Sequence, residues 1–409
     1  MAGTGGCVDL PAGRGLWVAG PARVSVERGR LLAAGFELGE GEEVVVRATR
    51  GFTFYPLGGA ARVCVAAGSG GGYRVVGEGF RETLEWLRLG ERLRGSGVGR
   101  VAVVGPVEAG KSTLTVFLAN MLGVGVVETD VGQNEMGLPA CVSYSENPGA
   151  PFLSMEELPR PSCVFVGHVS AEKAATGIVA AAAEAASRLG RFVADTDGFV
   201  DGLGLVYKPW LVEAMGVDAV VAVGAPRQLA AALRGRGLTV YEAPRAPLPR
   251  WRSRLDRRSY RSRLWARLFS SPVTLVLRGA SVEPLCGLEE TAEDGAVYSC
   301  GRVVLVESRR RPEGPPGARW LRPGWARGLV AGLRVSGGGD VPALVETLEP
   351  GGRRVVVRAA WRPGGEVVGL RLGWIRLSEN YEETHLPLEP YPLAALGRAG
   401  WRPRVSGAV

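Results

Sequence analysis

One stretch of this chain carries most of its readable chemistry: Gly105-Pro106-Val107-Glu108-Ala109-Gly110-Lys111-Ser112-Thr113. It fits G-x-x-x-x-G-K-[ST], follows the apolar run Val101 to Val104 and opens a helical stretch, which is the context a phosphate-binding loop requires. Glycines let the backbone wrap closely, so that its N–H groups converge on phosphate oxygens, and the helix N-terminus adds positive potential. Lys111 is placed to reach the β- and γ-phosphates, Ser112 to ligate Mg²⁺ and Thr113 to meet the α-phosphate. Such a cradle names a nucleoside triphosphate but no reaction. A guanine-reading Asn/Thr-Lys-x-Asp segment is not formed around Lys173 or Lys208, the only other lysines, which favours ATP.

Two acidic strand ends follow. In Glu128-Thr129-Asp130-Val131-Gly132-Gln133, Asp130 is the candidate base for an attacking hydroxyl and a possible Mg²⁺ partner. Glu128 shares its strand face but lies one pleat further from the tip, and Gln133 is placed to hydrogen-bond an acceptor. In Asp195-Thr196-Asp197-Gly198-Phe199, Asp195 ends an apolar run and is a rival or additional Mg²⁺ partner, with a plain turn as the alternative for Asp197-Gly198.

A third feature is cationic. Nine arginines, at 245, 250, 252, 254, 257, 258, 261, 263 and 267, face one acid, Asp256. Arg254, Arg257, Arg258 and Arg261 share a helical face through i, i+3 and i+4 steps. A solvated basic face is the ordinary reading of such a run. A lid closing over a migrating phosphoryl group is the reading that fits the cradle, because phosphoryl transfer needs cations there.

The elements that must position these residues follow from pattern and composition. The chain has 409 residues, too many for one ordinary core, and 46% apolar and 22% charged residues make it globular. Residues 1–95 alternate in short runs between glycine-rich turns and predict a small β-sandwich or barrel, closed by a helix over 80–94. Residues 96–270 alternate apolar β-branched runs (101–104, 124–127, 163–166, 191–194, 219–223) with helical stretches (111–122, 172–189, 209–215), predicting an α/β domain with a buried parallel sheet. Residues 271–409 return to short strands around a Pro/Gly-rich loop at 311–324.

Other classes recede. No apolar run reaches transmembrane length, and Thr176 to Ala186 reads as a packed Ala-rich helix. The N-terminus lacks the basic start and apolar middle of a signal peptide, so the expectation is cytoplasmic, with no membrane partner. Six cysteines without a CxxC and only two histidines, His168 and His385, make a zinc site improbable. Free thiols are the default, with a Cys286–Cys300 bridge as the alternative. Net charge is +8, from 46 arginines and three lysines against 41 acids. A GC-rich genome and a phosphate-rich partner would each write that bias.

Taken in order, these residues resemble the polynucleotide 5′-hydroxyl kinases, a family that includes a eukaryotic pre-mRNA cleavage-factor subunit, a ribosomal-RNA processing kinase and archaeal RNA/DNA kinases. Gly105 to Thr113 resembles the family's P-loop and Glu128 to Gln133 its E/D-x-D-x-G-Q segment, with Pro139 soon after. Phe165-Val166-Gly167-His168 resembles its F-G-H segment and Thr196-Asp197-Gly198-Phe199 its T-x-G-W clasp. Arg252-Ser253, Arg257-Arg258 and Arg261 resemble its R-S-x-x-x-R-R-x-x-R lid. The resemblance implies ATP and Mg²⁺ as cofactors, Asp130 as general base, and Arg252, Arg257 and Arg261 on the phosphates. It implies Gln133, His168, Thr196, Gly198, Phe199 and Arg258 around the terminal nucleotide. The acceptor would be the 5′-hydroxyl end of RNA, with DNA as a further possibility, and RNA-processing proteins are possible partners. Phe199 stands where the family has Trp, and Val169-Ser170-Ala171 where it has Ser-Pro after Gly-His. An ATP-loaded scaffold and a small-molecule P-loop kinase are the alternatives.

Overall fold

The computed structural model describes residues 5–48, 50–77, 79–246, 254–283, 288–292, 295–300, 303–309, 319–349 and 353–385. Strands before residue 77 form two antiparallel sheets, one of Gly5–Leu10, Ala61–Ala67, Ala22–Arg28 and Glu43–Val46, the other running from Phe36–Leu38 to Gly72–Val76. Their alternating apolar residues, among them Leu10, Leu16, Val24, Phe54 and Val63, meet in one buried core.

Strands β1 (Arg100–Val104), β2 (Gly125–Glu128), β3 (Cys141–Ser145), β4 (Ser162–Phe165), β5 (Phe192–Asp195), β6 (Ala219–Val223) and β7 (Thr239–Ala243) build the central domain. Helices α1 (Phe80–Gly95), α2 (Lys111–Leu122), α3 (Ala171–Arg188), α4 (Gly204–Ala214), α5 (Arg227–Gly235) and α6 (Arg254–Leu268) accompany them. The parallel part runs β7-β6-β1-β5-β2. Trp86, Leu89 and Leu93 of α1 join Leu114, Phe117 and Leu118 of α2 on one face. Ile178, Ala181, Ala182 and Ala185 of α3 pack on the other with Leu211 of α4 and Leu229 of α5. Burial on both faces explains why β1 and β6 read as unbroken apolar runs. The alanines of α3 let that helix lie close to the sheet.

Strand order places the chemistry. β5 lies between β1 and β2, so Asp195 at its carboxyl end stands between the P-loop after β1 and Asp130 after β2. This is the crevice in which open α/β sheets bind ligands. β3 and β4 continue the sheet antiparallel, and β4 pairs with Asp340–Leu348 through Cys163 and Asp340. The amide of Phe165 donates to Asp340 Oδ2 at 2.7 Å. One sheet thus runs from the central domain into the C-terminal strands, and a four-stranded sheet from Leu288–Ala292 to Arg319–Leu321 lies apart from it.

Three local expectations are corrected. β3 and β7 are strands that the apolar runs did not mark. α4 begins at Gly204, five residues before the proline at which pattern alone would start it, so Pro209 lies inside the helix. Four of the cysteines are not free thiols: Cys7 is bonded to Cys64 and Cys141 to Cys163, in each case between neighbouring strands. Cys286 lies outside the described residues, and with it the Cys286–Cys300 alternative. Among the described residues, no helix is long and apolar enough to cross a membrane.

A candidate phosphoryl-transfer site

The P-loop is shaped by backbone that ordinary residues avoid. Gly110 caps α2 at φ 91°, and a Cβ there would lie 2.4 Å from the Ala246 Cβ. Glu108 takes φ 62°, a left-handed conformation for a residue with a side chain. Lys111 Nζ donates to the Pro106 carbonyl at 2.9 Å, across its own loop.

Ser112 Oγ donates to Asp195 Oδ2 at 2.6 Å. Asp195 Oδ1 is buried and has no hydrogen-bond partner. Burial pushes the Asp195 carboxyl up to about 7, against the opposing pull of Lys111 and Ser112. A serine hydroxyl and an orphaned buried carboxylate oxygen beside a P-loop are the oxygen donors that suit Mg²⁺.

Asp130 closes the loop after β2 on itself: its Oδ1 accepts from the amides of Gly132 at 3.0 Å and Gln133 at 2.9 Å. Burial, then the nearby Asp197, raises its pKa above the ordinary carboxylate range, while those two amides and Lys111 oppose the rise. Glu128 is fully buried and accepts the amides of Glu135 and Met136, so it shapes the loop from below.

These groups line a cavity of about 300 Å³. Val107, Glu108, Gly110, Lys111, Ser112, Thr113, Asp130, Gln133, Thr196 and Gly198 form one wall. Trp17, Phe52 and Tyr55 of the N-terminal sandwich and Trp86 of α1 add an aromatic part to the same lining. Gly105, Pro106, Ala109 and Asp195 stand behind the lining. Sequence reasoning missed the aromatic part, because no motif marks residues that reach the loop from another domain. It also missed Arg50, which lines the cavity and bridges Glu135 at 3.1 Å and Glu156 at 2.8 Å. The Tyr260 hydroxyl of α6 donates to the same Glu156 at 3.4 Å, joining three parts of the chain at the cavity edge.

Asp197 organises the segment from Thr196 to Phe199 through its side chain. Its carboxylate accepts the Phe199 amide at 2.8 Å and the Tyr207 hydroxyl at 2.9 Å, and it pairs with Lys208 Nζ at 2.8 Å. The Thr196 hydroxyl donates to the Val103 carbonyl at 2.8 Å. Phe199 is half-buried against Tyr207, ring centroids 6.1 Å apart, and is not part of the cavity lining. Gly198 has no room to spare: a Cβ would meet Val107 Cγ2 at 2.4 Å and the Val107 amide nitrogen at 2.7 Å. Gly198→Ala is therefore expected to displace the P-loop and weaken nucleotide affinity about tenfold or more, the equivalent of ~1.4 kcal/mol. Isothermal titration with ATP on wild type and variant checks this.

The arginine cluster sits differently from expectation. Arg252 lies outside the described residues. Arg257 is half-buried on α6. Arg261 is bound by Glu383 of the C-terminal strand Glu383–His385, Nε at 2.8 Å from Oε1 and Nη2 at 2.8 Å from Oε2. Trp265 Nε1 donates to the same carboxylate at 2.8 Å, and Arg258 Nη2 donates to the Glu383 carbonyl at 3.1 Å. None of Arg257, Arg258 and Arg261 lines the cavity. A buried carboxylate draws in the nearest guanidinium groups, and no motif in the lid announces a partner more than a hundred residues away.

His168 is likewise outside the lining. It is buried, its Nδ1 accepts the Ser170 amide at 2.9 Å, and its ring lies edge-on to His385 at 5.4 Å. Burial first, then His385, lowers its pKa to about 4. It is neutral at physiological pH.

Residues 105–271 match the family described as mRNA cleavage and polyadenylation factor CLP1 P-loop. Among the curated proteins this chain is similar to, a polyribonucleotide 5′-hydroxyl-kinase of Thermococcus kodakarensis is 35% identical over 179 residues, 41% of this chain and 50% of that protein. One of Pyrococcus abyssi is 26% identical over 181 residues, 42% of this chain and 51% of that protein. The chain thus spans about half the length of the curated relatives it matches. In overall fold it resembles the Clp1p chain of a solved wild-type Clp1p–Pcf11p complex, with a TM-score of 0.59 at 13% identity, covering 92% of this chain and 99% of that one.

Proposed function

We propose that the protein is an ATP-dependent polynucleotide 5′-hydroxyl kinase, with RNA as its acceptor and DNA ends as a possible second. The observation that carries this reading is that Asp130 and Gln133 face the same cavity as Lys111, Ser112 and the clasp residues Thr196 and Gly198. A carboxylate opposite a phosphate cradle suits an enzyme that deprotonates a hydroxyl. The names of the curated relatives support the same acceptor.

In this reading the triphosphate lies along the P-loop amides, Lys111 draws to its β- and γ-phosphates, and the aromatic part of the lining meets the base. Ser112 and Asp195 would hold Mg²⁺, with Asp130 beside them, and the ion would neutralise charge on the transferring group. The 5′-oxygen forms a bond to the γ-phosphorus as its proton passes to Asp130. The bond to the bridging oxygen breaks, and its electron pair leaves with ADP. Most of the rate enhancement comes from positioning and charge stabilisation.

An ATP-holding scaffold in an RNA-processing assembly is the second reading, favoured by the engagement of Arg258 and Arg261 with Glu383. ADP release separates the two. A kinase releases ADP when given RNA with a 5′-hydroxyl and not when given the same RNA already 5′-phosphorylated. A scaffold retains ATP and releases ADP with neither. A small-molecule kinase would show no binding to RNA that weakens steeply with salt.

A further inference from the structure

Lysine is scarce in this chain, three residues against 46 arginines. Lys173 is exposed, while Lys111 of the P-loop and Lys208 of α4 are buried. Lys208 has no solvent-exposed surface, and its Nζ lies 4.9 Å from the centroid of the Tyr207 ring.

We propose that Lys208 is a positioning residue for the acceptor polynucleotide: through its ion pair with Asp197 it holds Gly198 and Phe199 in place against the P-loop. This rests on the kinase reading above. Three groups converge on the Asp197 carboxylate: the Lys208 ammonium as an ion pair, and the Tyr207 hydroxyl and the Phe199 amide as hydrogen-bond donors. Two come from α4 and one from the clasp, so the carboxylate ties helix to clasp. A second contact fixes the same joint: a Cβ at Gly204, the first residue of α4, would lie 2.6 Å from the Phe199 carbonyl oxygen. On the other side Gly198 lies against Val107, and both line the cavity. A displacement of a few tenths of an ångström at Asp197 therefore reaches the cavity wall.

Stability alone is a poor reason for such a pair. Removing two charges from water offsets most of their attraction, and an apolar pair of similar volume often serves a core as well. What a dry ion pair contributes here is geometry, at the segment expected to hold the terminal nucleotide.

The test is steady-state kinetics of Lys208→Met and Tyr207→Phe, varying a 5′-hydroxyl RNA oligonucleotide and ATP separately. The KM for RNA is expected to rise about tenfold in Lys208→Met and about threefold in Tyr207→Phe. The ATP dissociation constant should rise by a smaller factor than the RNA KM, and kcat should fall less than KM rises. A pair that serves only to stabilise α4 would lower the melting temperature and leave the RNA KM unchanged in both variants, which overturns the proposal. If Lys208→Met does not fold, Tyr207→Phe decides alone. A wild type that binds RNA but transfers no phosphate contradicts the kinase reading and not this one. Fluorescence anisotropy of a labelled 5′-hydroxyl oligonucleotide then reads the same two variants, and unchanged affinity overturns the positioning role. An RNA that fails to bind the wild type overturns both.

Discussion

Asp130→Asn is expected to lower kcat for phosphoryl transfer by about 10²- to 10⁴-fold, the range general-base removal usually costs, while nucleotide affinity and melting temperature stay near wild type. The substitution is almost isosteric. Its amide oxygen can still accept the Gly132 and Gln133 amides that Asp130 Oδ1 accepts, so the loop after β2 keeps its shape. What is lost is the second carboxylate oxygen, which has no hydrogen-bond partner among the described residues, and with it the ability to take a proton. Because burial and Asp197 raise the proton affinity of Asp130, the wild-type carboxylate is better matched to a hydroxyl than an exposed aspartate would be. Single-turnover rates with saturating ATP would measure the effect. A variant with near wild-type kcat would remove Asp130 from the base role and leave it a loop cap.

Glu383→Gln is expected to be the most destabilising single change around α6. Burial of the Glu383 carboxylate opposes its ionisation, but His385, then the two guanidinium N–H groups of Arg261, then the indole N–H of Trp265 hold it down to about 2. Relative to the ordinary value of 4.5, that preference for the charged form corresponds to about 3 kcal/mol at neutral pH. The sign follows from linkage. A carboxylate whose folded-state pKa is depressed contributes fully above its unfolded pKa, and the contribution is lost as pH falls toward 2. The gap in melting temperature between wild type and Glu383→Gln should therefore be widest at neutral pH and close between about pH 5 and pH 2. A gap of the same width at pH 3 and pH 7 would show that the carboxylate charge is not what anchors α6.

The parts legible in the sequence are those whose signal is local. The P-loop states its strand, its loop and its helix within fifteen residues. Asp195 is marked because it ends an apolar strand and Asp130 because it follows one by two residues, and burial on both faces leaves β1, β5 and β6 as apolar runs. β3 and β7 were missed because Cys141-Val142-Ser143-Tyr144-Ser145 and Thr239 to Ala243 mix polar residues into short strands at the margins of the parallel array. The start of α4 was misplaced because proline favours a first helical turn, whereas here Gly204 packs on Phe199 and carries the helix earlier. What could not be read is the long-range part. Trp17, Phe52 and Tyr55 join the site through the docking of the N-terminal sandwich, and the disulfide partners through strand neighbourhood. Arg261 meets Glu383 only once the C-terminal strands join the central sheet. Lys208 carried a signal that went unused: it is one of three lysines in a chain that otherwise writes arginine.

The measurement that tests the account most directly is transfer of labelled γ-phosphate from ATP, with Mg²⁺, to a short single-stranded RNA bearing a 5′-hydroxyl, beside the same RNA already 5′-phosphorylated. The account expects label on the first RNA and none on the second, and none on either with Lys111→Ala. Binding of ATP with no label on the 5′-hydroxyl RNA would contradict it.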